Sequence, residues 1–321
     1  MSELPKYEYK CIDNSVLTPH FRKFIAAPVL EWIPKSINPN LITVISSVFS
    51  LIALYLSFRF GQGLVNNLII AFLIFMYLLS DHLDGMQAKR RGGGTALGEF
   101  LDHFLDVINN GIFLLILVNI FKVSNPAVIT LMFALGYVAQ GGVFFEQYKT
   151  GWIVFGKYES FEAVVALILT LIITGIPLIY QPLISIEYYE LRLIDWLLII
   201  TSISGSFILK DIIVRVGSGM KEMAGLVLSM MTMLSIAFLF GLHRDAFIIA
   251  SIAAIFIIQE YMIARLTYKR SIWLEYIPVL ILIGGVFFQL ITGYYLIISL
   301  LIIIRFIVTI FKLSKKIQLY S

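Results

Sequence analysis

Cysteine is all but missing from this 321-residue chain: Cys11 stands alone, which excludes an internal disulfide framework and any cysteine-rich metal site. Charge is scarce as well. Asp, Glu, Lys and Arg make up 14% of the residues against 60% hydrophobic ones, and mean hydropathy reaches +0.92, a balance foreign to an ordinary soluble domain. No cleavable signal peptide is visible, because mostly polar or amphipathic sequence precedes the first long apolar run.

What the chain has in abundance is apolar sequence in long runs. A membrane-crossing helix needs about 20 mostly apolar residues. Segments 41–60, 64–86, 98–121, 126–145, 160–180, 192–213, 222–242, 246–267, 273–292 and 294–314 each qualify. The expected fold class is therefore all-α, a polytopic membrane helical bundle of about ten spans. Net charge is +4, and its placement is more telling than its size. With the N-terminus in the cytoplasm, all but four of the 24 Lys and Arg residues fall at the inner side, the exceptions being Arg59, Lys122, Arg192 and Arg244. Both termini and the Lys89-Arg90-Arg91 turn then face the cytoplasm.

Residues 15–36 mix Phe21, Phe24, Ile25, Val29, Trp32 and Ile33 with His20, Arg22, Lys23 and Glu31. This pattern predicts an interfacial amphipathic helix broken or kinked at Pro28, the alternative being a plain cytoplasmic linker. Residues 1–40 thus form a cytoplasmic N-terminus and 41–321 a transmembrane domain. Asn38-Pro39-Asn40 stops the first element and starts the first span, and local physics alone reads Asn40 as an N-cap.

Four acids break the apolar pattern. Positions 81, 84, 85 and 88 share one helical face, so Asp81 and Asp84 lie beside the small residues Gly85 and Ala88. After Gly92-Gly93-Gly94, the next span presents Gly98, Asp102 and Asp106 at successive i, i+4 positions. Two such faces joined by a glycine turn form an antiparallel pair on which the four carboxylates converge. Acids at membrane depth are costly unless a cation or water neutralises them. Hard oxygen donors in this number suit Mg²⁺ or Mn²⁺, as one ion or a pair, better than zinc. Two uses fit: catalysis on a phosphoanhydride, or cation-coupled transport. Transport favours acids near the midplane on broken helices, whereas these cluster toward one face beside a basic turn.

Downstream, the polar run from Phe144 to Glu162 is read as a loop that either roofs the site or is simply solvated. Lys210, Asp211 and Arg215, and likewise Glu260 and Arg265, are expected to pair within each group. Arg305 is placed to snorkel or to bind lipid phosphate.

The pattern Asp81-x2-Asp84-Gly85-x2-Ala88-Lys89-x8-Gly98-x3-Asp102-x3-Asp106 resembles the signature of the CDP-alcohol phosphotransferase family, which has Arg where this chain has Lys89. Asp-Gly-Met-Gln-Ala-Lys-Arg, Leu97-Gly98-Glu99, Asp102-His103, Pro39-Asn40-Leu41-Ile42-Thr43 and the Tyr148-x2-Gly151-x3-Phe155-Gly156 loop with Glu159 and Glu162 are similar to the choline/ethanolamine phosphotransferase branch. The resemblance implies transfer of phosphoethanolamine or phosphocholine from CDP-ethanolamine or CDP-choline to diacylglycerol, with release of CMP. It further implies that Asp81, Asp84, Asp102 and Asp106 hold two divalent ions. Asn40, Asp81, Gly85, Ala88, Lys89 and Gly98 would line the CDP pocket. His103 would take the hydroxyl proton, with Asp106 as the alternative base, and Glu162 would orient that histidine or the head group.

Lysine offers a point charge where arginine offers a planar fork, and Arg90 is the residue placed to supply the fork. Glu146 stands where the branch tends to have an uncharged amide, a change that bears on head-group selection. A homodimer among membrane lipids is implied, with no nucleic-acid partner, in the endoplasmic reticulum or another endomembrane if the source is eukaryotic. A CDP-diacylglycerol-dependent phosphatidyltransferase of the same family is the alternative enzyme, and a cation-coupled transporter the alternative of a different class.

Overall fold

The computed structural model describes residues 8–157, 160–217 and 243–267, with isolated positions among 223–234 and 300–311. The segments read as spans at 222–242, 273–292 and 294–314 lie wholly or largely outside the described residues, as do Glu159 and Arg305. Within the described residues the architecture is an all-α membrane bundle. Its elements are β1 (Cys11–Asp13), α1 (Thr18–Phe21), α2 (Ala27–Trp32), α3 (Pro39–Phe60), α4 (Leu64–Arg90), α5 (Ala96–Ile120) and α6 (Pro126–Thr150). They continue with β2 (Ile153–Phe155), α7 (Ser160–Thr174), α8 (Pro177–Ser185), β3 (Glu187–Tyr188), β4 (Leu191–Arg192), α9 (Leu193–Ser206), α10 (Ile208–Val216) and α11 (His243–Thr267).

Five helical stretches among the described residues are long and apolar enough to cross a membrane: α3, α4, α5, α6 and the run Leu193–Val216 formed by α9 and α10. The segment expected as one span at 160–180 is broken. Helices α7 and α8 meet at 101°, where Gly175 ends one and Pro177 opens the other.

Each of the bundle helices α3, α5 and α6 starts at a side-chain cap. Asn38 Oδ1 accepts from the Asn40 backbone N–H at 3.0 Å, with Pro39 in the first turn. The expected cap at Asn40 is therefore corrected by two positions. Proline fills the slot that has no N–H to satisfy, and the Asn40 side chain is left for another task. Thr95 Oγ1 caps α5 through the Gly98 N–H at 3.0 Å, and Asn125 Oδ1 caps α6 through the Ala127 N–H at 3.0 Å. Just before Pro28, the position of the expected break or kink, a π-helical turn, Arg22–Ala26, joins α1 to α2. Proline lacks the N–H that an unbroken α-helix would use there.

Two polar pairs set the register of α3 against α5. Asn109 Nδ2 donates to Ser47 Oγ and Asn119 Nδ2 to Ser57 Oγ, both at 3.0 Å and both 62 residues apart in sequence. The shared offset means that α3 and α5 run parallel. Small buried residues along α3, among them Ser46, Ser50, Ala53 and Ser57, let the backbones approach. The same register carries the start of α3 to the start of α5. Helix α7 docks on α4 through Asn67 Nδ2, which donates to the Leu171 carbonyl at 3.0 Å, and α6 packs against α5, α9, α10 and α11.

The buried acids Glu146 and Glu99 pair with cations from other helices, partners outside the expected sequence groups. Arg215 forks the Glu146 carboxylate, Nε to Oε1 at 2.5 Å and Nη2 to Oε2 at 2.9 Å. Arg265 reaches Glu99 at 3.2 Å. Glu146 and Glu99 are buried on α6 and α5, where a carboxylate needs an internal cation more than a surface residue needs its neighbour. Arg215→Ala should therefore destabilise the protein by about 3–5 kcal/mol. Thermal unfolding in detergent reads the loss, and the double variant with Glu146→Gln should recover most of it.

Candidate active site

The last three turns of α4 and the first three of α5 bring the acids together across the Gly92-Gly93 turn. Both glycines have positive φ, 107° and 125°, a conformation that L side chains rarely adopt. One carboxylate oxygen from each of Asp81, Asp102 and Asp106 lies within 4.8 Å of the other two. Asp84 is buried and its Oδ2 accepts from Thr43 Oγ1 at 2.6 Å, yet it remains near enough to Asp81 and Asp102 for their charges to interact. Tyr77 Oη donates to Asp106 Oδ1 at 3.0 Å. Asp102 Oδ1 is buried without a hydrogen-bond partner among the described residues. Three converging carboxylates, one of which carries an orphaned oxygen, fit a divalent cation such as Mg²⁺ or Mn²⁺.

Beside this cluster lies the surface expected to receive a nucleotide. A Cβ added to Gly98 would come within 3.2 Å of Asn40 Oδ1, so glycine at this position lets the Asn40 amide reach the head of α5. At Gly85 a Cβ would meet nothing within 4 Å, which leaves that face of α4 open, with Ala88 and the exposed Lys89 following it. Arg90 does not stand in for the missing arginine fork. Its guanidinium donates to the Leu30 carbonyl at 2.8 Å, to the Ile33 carbonyl at 2.5 Å and to the Gln87 side-chain oxygen. Gln87 Nε2 donates to the Ile37 carbonyl at 2.8 Å, and Arg91 Nη1 to the same oxygen at 2.8 Å. The turn that joins α2 to α3 carries carbonyls without helical partners, and the basic end of α4 supplies their donors.

His103 follows Asp102 on α5 and is 5% exposed. Its ring lies 5.2 Å from that of Phe144 and 6.0 Å from that of Tyr9, both tilted by about 48–49°. Glu162 makes no hydrogen bond to His103 among the described residues. Its Oε1 accepts from Ser15 Oγ at 2.6 Å and from the N–H groups of Val16 and Leu17 at 3.1 and 3.2 Å, while Oε2 is buried without a partner. Glu146 is committed to Arg215 on both oxygens, which leaves the expected effect on head-group selection without a contact to carry it.

Three contributors to the site escaped the reading of the residues themselves. Tyr77 stands one turn before Asp81 on the same face, a spacing that could have found it. Thr43 repeats the face of Asn40 at i+3. Tyr9 carries no local signal, because long-range ties bring it in, among them the pairing of β1 with β2, Cys11 opposite Ile153 and Asp13 opposite Phe155.

The family model described as CDP-alcohol phosphatidyltransferase matches residues 36–201, which include every acid of the cluster, Asn40, His103 and Glu162. Among curated relatives, a CDP-alcohol phosphatidyltransferase class-I family protein of Schizosaccharomyces pombe is 30% identical over 166 residues, 47% of this chain and 41% of the relative. A CDP-diacylglycerol–serine O-phosphatidyltransferase of Encephalitozoon cuniculi is 32% identical over 111 residues, 33% of this chain and 29% of the relative. Cholinephosphotransferase 1 of Saccharomyces cerevisiae is 33% identical over 120 residues, 34% of this chain and 29% of the relative. The chain spans between 29% and 41% of the length of these relatives. With a family match over half its length and the cluster inside that match, the chain belongs to the CDP-alcohol phosphatidyltransferase family.

Proposed function

We propose that this protein transfers phosphoethanolamine, phosphocholine or both from the CDP-alcohol to diacylglycerol, forming the phospholipid and CMP at the cytoplasmic face of the membrane. The observation that carries the reading is His103. A buried imidazole directly follows Asp102, whose Oδ1 is orphaned, and this supports a base for a lipid hydroxyl beside the acid cluster. Membership of a transferase family whose members use CDP-alcohol donors and lipid acceptors leaves the transporter reading without support.

The family is generally divalent-metal dependent, and Asp81, Asp84, Asp102 and Asp106 are the residues that would hold the ions. Bound there, divalent cations would offset charge on the diphosphate and on departing CMP. The chain supplies the rest. Thr43 and Tyr77 orient the carboxylates of Asp84 and Asp106. Asn40, Gly85, Ala88, Lys89 and Gly98 receive the nucleotide. The hydroxyl oxygen of the acceptor attacks the β-phosphorus in line, its proton passes to His103, and the bond from the β-phosphorus to the bridging diphosphate oxygen breaks.

Lys89 tests the nucleotide side of this reading. Lys89→Arg restores a planar fork, so the donor KM should stay level or fall by about two- to tenfold. A severe loss of donor binding would show a pocket built around lysine.

The similarity to a CDP-diacylglycerol–serine O-phosphatidyltransferase supports a second reading, in which CDP-diacylglycerol is the donor and a soluble alcohol the acceptor. Purified protein in lipid vesicles, offered CDP-choline or CDP-ethanolamine with diacylglycerol and, separately, CDP-diacylglycerol with serine, decides between the two. Metal-dependent CMP release with the first pair supports the main reading, and release only with the second replaces it.

A further inference from the structure

The N-terminal segment is tied to three elements, α11, β2 and α7. Arg265 Nη2 on α11 donates to the Glu8 carbonyl at 3.0 Å while its Nη1 holds Glu99, one turn before His103 on α5. The Ile153 N–H donates to the Lys10 carbonyl at 3.0 Å, and β1 then runs parallel to β2. Glu162 on α7 accepts from Ser15, Val16 and Leu17. Tyr9 sits between the first two ties. Tyr9 as a residue is 44% exposed, whereas His103 behind it is 5% exposed. One side of Tyr9 thus meets solvent and the other meets the imidazole.

We infer that Tyr9 is a positioning residue for His103: its ring, together with that of Phe144, holds the imidazole and screens it from water. The inference rests on the proposed transfer reaction. A base that serves a lipid hydroxyl serves a water molecule equally well. If water enters, its oxygen attacks the β-phosphorus, its proton passes to His103, the bond to CMP breaks, and the products are CMP and the free phosphoalcohol. A wall on the aqueous side of the base therefore decides between transfer and hydrolysis. An aromatic ring held by backbone ties at both flanks suits that task, because its two side-chain torsions leave little freedom to move aside.

The test compares native protein with Tyr9→Ala and Tyr9→Phe by three readings. Tyr9→Ala should lower kcat for lipid product by about tenfold or more with donor KM within about twofold, because the base is displaced and the nucleotide pocket is untouched. It should raise the phosphoalcohol released per CMP severalfold. It should also raise by about tenfold the rate at which diethyl pyrocarbonate modifies His103, read by peptide mass spectrometry. Tyr9→Phe should restore all three. The modification rate needs no turnover, so a chain that releases no CMP from any CDP donor defeats the proposed reaction while the wall is still tested. A native modification rate in Tyr9→Ala overturns the inference, as does failure of Tyr9→Phe to restore the native values. Should Tyr9→Ala not fold, Tyr9→Leu takes its place, with the same readings expected and native values again overturning the inference.

Discussion

Asp102→Asn should abolish phosphotransfer, by about 10³-fold or more, in a protein that remains folded and membrane-inserted. Asp102 stands between the other two members of the cluster along the α4–α5 hairpin, and its Oδ1 has no hydrogen-bond partner among the described residues. The amide matches the carboxylate in shape, so helix packing persists, but it removes one negative charge and a strong ligand. The stability effect has a definite sign. Without divalent ions the clustered acids repel one another, and removal of one should leave the melting temperature unchanged or raised. With Mg²⁺ or Mn²⁺ present, the native protein should gain stability that the variant does not. CMP release and thermal unfolding with and without metal check both arms. Activity within tenfold of native would sink the metal assignment.

His103→Ala should lower kcat by about 10²- to 10⁴-fold, the usual range for general base catalysis, with donor KM within about twofold. The split arises because the imidazole is flanked by Tyr9 and Phe144, whereas the surface proposed to receive the nucleotide comprises Asn40, Gly98 and the open face of α4. An unchanged maximal rate would return the proton to Asp106. That carboxylate is the weaker choice, since it already accepts from Tyr77 and lies in the group that would ligate metal, where its lone pairs are engaged. Steady-state kinetics with saturating diacylglycerol, varying the CDP donor, separates the two.

The acid-bearing hairpin was legible because its signals are local. Period and glycine chemistry alone place Asp81 and Asp84 on one face, Gly98, Asp102 and Asp106 on another, and a turn between them. What the sequence concealed depends on contacts far apart along the chain. Asn40 looked like a cap until Asn38 took that role and the α3–α5 register brought its amide to Gly98. Arg90 looked available for phosphate until its guanidinium was found on the carbonyls of Leu30 and Ile33. Arg215 and Arg265 bind carboxylates 69 and 166 residues away, partners that no helical spacing reveals. The break between α7 and α8 was hidden for a different reason. Hydropathy registers an apolar run but not the 101° bend that Gly175 and Pro177 permit within it.

The ties from Gln87, Arg90 and Arg91 to the carbonyls of residues 30–37 carry a mechanical consequence. Trp32, 88% exposed at the end of α2, and Asp84, 5% exposed one turn before those donors, belong to one stiff frame with no slack linker between them. The depth at which the acid cluster sits is thus built into the chain as a fixed offset from its aromatic N-terminal segment. A thicker or thinner bilayer would shift segment and cluster together, leaving the geometry between them unchanged.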